Sequence, residues 1–174
     1  MEDNLKLGVE ILNALDNADY ATIEKIILTG KRSLNEITPV EKWNWLHKAL
    51  LGFDKNKPPK ESIEYLINQN IDVNAQDIYG MTPLHYAMRS KNAAAAITLL
   101  NAGADPNIPN RDGLIPLSMI GYIREHLDVL ELMLKNGGNV HYEYQNEGSV
   151  LERYKPRDNE TRNIAIYDMM LKYQ

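Results

Sequence analysis

One register dominates this sequence. Gly80 and Gly113 stand 33 residues apart, as do Pro83 and Pro116, and Leu84 and Leu117. The stretch Asp77–Ala87 aligns without a gap on Asn110–Ile120. Leu99–Asn107 aligns on Met133–His141 at an offset of mostly 34, which puts one inserted residue near Ile123–His126. A fixed period of this kind means a stack of small units, none of which can bury its apolar face alone. The period fades outward. Leu66–Asn74 sits 33 residues before Leu99–Asn107, and Trp45–Leu50 mimics Pro83–Met88, with an enlarged loop, Gly52–Lys60, between those halves. Gly148–Leu151 echoes the start of a unit, and Ile164–Tyr173 has the pattern of a last amphipathic helix. Residues 1–34 hold two helical patterns and the degenerate ending Ile26–Gly30.

Each unit reads as a turn and two antiparallel helices. Thr82 is a capping residue type, and Pro83 suits a first helical position. Pro116 repeats the device, but Ile115 replaces the Thr. Losing such a cap costs about 1 kcal/mol, so this helix start is expected to be weak. Gly103 and Gly137 stand where a left-handed residue would end the second helix, and Gly80 and Gly113 where a hairpin turn needs one. Leu84, Ala87 and Met88, then Ile97, Leu100 and Ala104, then Leu127, Leu130 and Leu134 keep helical spacing. Ala93–Ala96 would let neighbouring helices pack closely.

The turn glycine, Thr82-Pro83-Leu84-His85, Leu99-Leu100 and Gly103-Ala104-Asp105 together resemble the ankyrin repeat. The match is nearly complete only over residues 71–142. The resemblance implies an all-α solenoid of stacked helix-turn-helix units joined by short hairpin-type turns. As one domain over 1–174, it would comprise a cap at 1–34, a divergent repeat at 38–75, repeats at 77–109 and 110–143, and a cap at 144–174. It also implies binding of a protein partner through the hairpin tips and the inner face of the first helices. Carried onto this chain, those positions are Ile78, Tyr79, Met81, Arg89 and Ser90 in the clearest repeat. In the next they are Arg111, Asp112, Leu114 and Tyr122, and in the divergent repeat Trp43. Trp43, Met81 and Leu114 would form one row on adjacent units. Two readings of that row stand side by side: an interface core rimmed by Arg89, Arg111 and Asp112, or tips that fold back and bury these side chains.

Other chemistry finds little footing. The net charge is −5, which argues against a nucleic-acid surface. Cysteine is absent, which excludes disulfides and a thiolate zinc site. The N-terminus lacks the pattern of a signal peptide, and no apolar run approaches membrane-helix length. No nucleophile elbow, phosphate loop or metal-ligand spacing stands out, and no cofactor is expected. His47 and His85 share a register position, which points to hydrogen bonding between units rather than to catalysis. Glu61 with Glu64, and Glu125 with Asp128 and Glu131, read as solvated helix faces. Tyr142, Tyr144, Tyr154, Tyr167 and Tyr173 suit either a cap or a binding surface. The expectation is a cytoplasmic, non-enzymatic binder, monomeric when free and with no appended domain. Its Asn-, Lys- and Ile-rich composition points to bacteria. An immunity protein neutralising a basic toxin domain fits the acidic charge; the alternative is a scaffold or a host-directed effector.

Overall fold

The computed structural model describes residues 2–145, 147–157 and 161–174, so Asn146 and 158–160 of the expected C-terminal cap lie outside the described residues. In chain order the helices are α1 (Glu2–Asp16), α2 (Tyr20–Leu28), α3 (Trp45–Ala49), α4 (Lys60–Asn68), α5 (Pro83–Arg89) and α6 (Ala93–Asn101). A 3-10 helix, Pro116–Ile123, follows, then α7 (Leu127–Lys135), α8 (Val150–Tyr154) and α9 (Ile164–Met170), which runs into a 3-10 turn. Among the described residues there is no strand, only an isolated bridge between Glu143 and Ser149. No helix among them is long and apolar enough to cross a membrane.

The helices form two layers. In the first layer α3 packs on α1, α5 on α3, and the 3-10 helix on α5, with α8 at the far end. In the second, α6 lies between α4 and α7, and α9 closes on α7. The core runs continuously along the stack, from Ile11 and Leu15 through Leu46, Leu84, Leu99 and Leu130 to Ile166 and Met170. Ala93, Ala95 and Ala96 are buried, so the expected close approach of α6 to its neighbours is present. Asn92 caps that helix through the Ala95 amide and ties it to the previous unit by donating to the Pro58 carbonyl.

The capping pattern differs from unit to unit. Before α5, the His85 ring Nδ1 accepts from both the amide and the hydroxyl of Thr82, at 3.0 and 2.9 Å. Before α3, Asn44 takes the Thr position and its Oδ1 accepts from the His47 amide. Ser149 and Glu152 do the same work before α8. Ile115 makes no such bond, and where the sequence suggests a weakly started α-helix the chain winds as a 3-10 helix. Ser118 Oγ donates to the Ile115 carbonyl there, and Tyr154 Oη accepts from the Gly121 amide while donating to the Ser118 carbonyl. The inserted residue lies just beyond. In the preceding unit the turn between helices passes through Lys91 at φ +61°, whereas Arg124–His126 needs no left-handed residue.

Units are stitched at both edges. On one edge Asn74 donates to the Gly103 carbonyl and accepts from the Asp105 amide, and Asn107 repeats this on Gly137 and Asn139. On the other, His47 and His85 donate Nε2–H to the carbonyls of Met81 and Leu114, one unit further on, at 3.0 and 2.9 Å. That assigns the histidines the inter-unit role their shared register suggested.

Candidate protein-binding surface

The hairpin tips are built alike. Thr38, Asp77 and Asn110 each donate an amide to the carbonyl of Trp43, Met81 and Leu114 respectively, so these three occupy equivalent positions. Asp77 Oδ1 accepts from the amides of Tyr79 and Met81, and Asn110 repeats the pattern with Asp112 and Leu114. Successive tips touch through their backbones: Ile78 donates to the Glu41 carbonyl and Arg111 to the Tyr79 carbonyl. Gly80 serves this contact twice. Its φ is +73°, and a Cβ there would lie 2.9 Å from the Arg111 amide nitrogen.

The apolar row folds back. Trp43 is half-buried, and its indole Nε1 donates to Asp77 Oδ2 at 3.1 Å and to Tyr86 Oη at 3.2 Å. Met81 and Leu114 are half-buried against the core, with the Met81 sulfur beside the Asn110 amide. Trp43 and Met81 thus lie against the next tip, where their apolar surface finds cover, and Leu114 rests on the core. Asp77 gathers the arrangement. Burial would raise its pKa, but hydrogen bonds from Tyr86, Met81, Tyr79 and Trp43 outweigh this and hold the carboxyl below the usual range. Burial and the bond to Asp77, 2.5 Å long, push the Tyr86 phenol up to about 12.

Ser90, expected on the binding face, is buried at the end of α5, where its Oγ donates to the Ala87 carbonyl; it is unavailable to a partner. Ile78 is half-buried, while Tyr79, Arg111 and Asp112 stand exposed at the tips and Tyr122 at the end of the 3-10 helix. Arg89 lies between these, with its guanidinium carbon 4.5 Å from the Tyr86 ring centre and 5.7 Å from that of Phe53. The C-terminal tyrosines mostly serve the cap: Tyr142 Oη donates to the Gly113 carbonyl, and Tyr154 pins the 3-10 helix.

Sequence reasoning missed one part of this face. α1 and α3 flank a groove of about 310 Å³ walled by Leu5, Val9 and Leu12 on one side and Trp43, Trp45 and Leu51 on the other. A second hollow of about 300 Å³ shares Leu12, Lys48 and Leu51 with it and ends at Phe53. Leu5, Val9 and Phe53 are 70%, 50% and 81% exposed. Two signals were available. The apolar residues of α1 occupy two faces, Ile11, Ala14 and Leu15 inward and Leu5, Val9 and Leu12 outward, which is more width than a capping helix needs. The chain's single Phe stands in an otherwise polar loop.

A family profile described as ankyrin repeats in three copies matches residues 11–110 and again 56–144. The chain is 35% identical over 107 residues to an ankyrin repeat protein of Fowlpox virus, covering 60% of this chain and 15% of the viral protein. It is 38% identical over 98 residues to an ankyrin repeat protein of Rickettsia bellii, covering 56% of this chain and 51% of that one. Protein phosphatase 1 regulatory subunit 27 of Homo sapiens is 30% identical over 112 residues, covering 64% of this chain and 69% of its own. The chain thus spans a small part of the viral relative and about half of the rickettsial one. The repeat period, the two-layered stack, the inter-unit histidines and these matches agree, and the chain belongs to the ankyrin-repeat family.

Proposed function

We propose that this chain is a non-catalytic protein-binding module whose partner lies on the first-helix face, from the exposed tips to the groove beside α1. The observation that carries this reading is the apolar surface left in water at the tips, on the 3-10 helix and beside α1. Leu5, Val9, Phe53, Tyr79 and Tyr122 are each at least half exposed there. Contiguous exposed apolar surface marks interaction sites, and aromatic anchors dominate binding energy. Within this reading Tyr79 and Tyr122 are contacts, Arg111 and Asp112 belong to the rim, and Trp43, Met81 and Leu114 chiefly shape the surface from beneath.

The finer reading is that binding inhibits the partner, as an immunity protein inhibits its toxin. Its support is the human relative named as a regulatory subunit of a phosphatase. The test starts with capture of a partner from the native extract, followed by mass spectrometry and purification. Tyr79→Ala and Tyr122→Ala should each weaken its binding by about tenfold, with thermal melts unchanged. Unchanged affinity for both would remove the site. Stoichiometric loss of the partner's activity supports inhibition, and full activity at saturation refutes it.

A further inference from the structure

Resting on that reading of the face, we infer that Arg89 is the anchor for a carboxylate of the partner, presented beside an apolar stretch that fills the groove between α1 and α3.

Arg89 is held by aromatic rings instead of by an acid. Its guanidinium lies over Tyr86 and beside Phe53. Among the described residues it makes no ion pair, and its Nε is buried without a hydrogen-bond acceptor. Asp77, the carboxylate that Tyr86 bonds, is saturated by four donors. Stacking covers the faces of a guanidinium and leaves its N–H groups to be met edge-on; with Nε buried, it is the terminal Nη pair that matches a carboxylate. The stack also removes much of the side-chain freedom that binding would otherwise have to freeze.

The charge pattern around it agrees. From α3 to α8 the first-helix layer carries Lys48, Arg89 and Arg153 against Glu152 alone. Glu152 is spent on the Ser149 cap, and Lys48 is tied to Glu36 at 2.9 Å. The second layer carries Glu24, Glu61, Glu64, Asp128, Glu131 and Asp168 against Lys25, Lys60 and Lys135. The net charge of −5 therefore does not describe the stretch of this face from α3 to α8, although α1 adds Glu2, Asp3, Glu10 and Asp16 against Lys6; a basic partner is not what the surroundings of Arg89 call for. Phe53 joins Arg89 to the groove, since it touches the guanidinium and walls the lower hollow with Leu12 and Leu51. That hollow sets Asp16 and Asp54 against Lys48 and Lys57, so its own charges are matched within it, whereas no acid among the described residues pairs with Arg89. The ligand's acid then sits on the Arg89 side of Phe53, with apolar residues in the groove.

The test is a selection of displayed random peptides on the whole chain. Binders lost on Val9→Lys, which fills the groove with a charge at an exposed position, are the groove ligands. They should share an Asp or Glu at a set distance from large apolar residues. Exchanging that acid for its amide should cost about tenfold, as should Arg89→Gln, and the two changes together should cost no more than either. Arg89→Lys, which keeps the charge but not the planar stack, should fall between. Groove ligands without an acid, or an acid indifferent to Arg89→Gln, overturn the carboxylate anchor and leave the groove standing. A selection yielding no binder sensitive to Val9→Lys overturns both.

Discussion

At His85 one ring faces two demands. Nδ1 must be bare to accept from Thr82, and Nε2 must carry a proton to reach the Leu114 carbonyl, so the fold requires the neutral imidazole. Burial pushes its pKa down from 6.5 to about 4, and His47 shifts in the same direction for the same reason. Because the folded value lies below the unfolded one, the unfolded chain takes up the proton first. The stability is complete above about pH 6.5 and is lost as the pH falls toward 4. Between pH 7 and pH 5 His85 alone should remove about 2 kcal/mol. Urea melts at the two pH values measure this, and His85→Gln should flatten the difference. Asp77 acts lower, because its depressed pKa makes it lose stability only below the ordinary carboxylate range. The histidine role was legible because two of them share a register. The fate of Ser90 was not, since a small polar residue at a helix end reads the same whether its hydroxyl faces water or the Ala87 carbonyl.

The 3-10 helix is where the third unit departs from its neighbour. An eight-residue run of this kind is long for its type, since its hydrogen bonds are poorer than those of an α-helix. It persists because Tyr154 satisfies Gly121 and Ser118 from another element. Tyr154→Phe strips the partner from a half-buried amide at Gly121 and a buried carbonyl at Ser118, and should cost about 1–3 kcal/mol in equilibrium unfolding. Gly121→Ala improves helix propensity but sets a Cβ 2.8 Å from the Tyr154 hydroxyl, so it should destabilise as well. The missing Thr at Ile115 and the extra residue after Ile123 were both visible in the alignment. That they would yield a 3-10 helix was not, because the residue that holds it lies 33 positions away from Gly121.

Over the whole stack, stability comes from neighbours meeting, so a central defect weakens two interfaces. Ala95 is fully buried where α6 packs between α4 and α7. Ala95→Leu should cost about 1–3 kcal/mol by overpacking, whereas Val9→Lys, at an exposed position, should stay within about 0.5 kcal/mol. Comparing the two by thermal melting separates residues that hold the stack from those it leaves over. The stack itself was legible from its period. The groove was only hinted at, by the second apolar face of α1, because its walls depend on how α1 lies across α3, which no local pattern encodes.

The first-layer helices of the repeats are short, five residues in α3 and seven in α5, but α1 has 15, about 22 Å of helix. A periodic trough offers a bound segment equivalent seats one repeat apart and gives no reason to prefer one. An overlong helix at one end abolishes that translational degeneracy. It gives the trough an end stop, so a ligand that rests against α1 has its position along the array, and its direction, decided before any side chain is read.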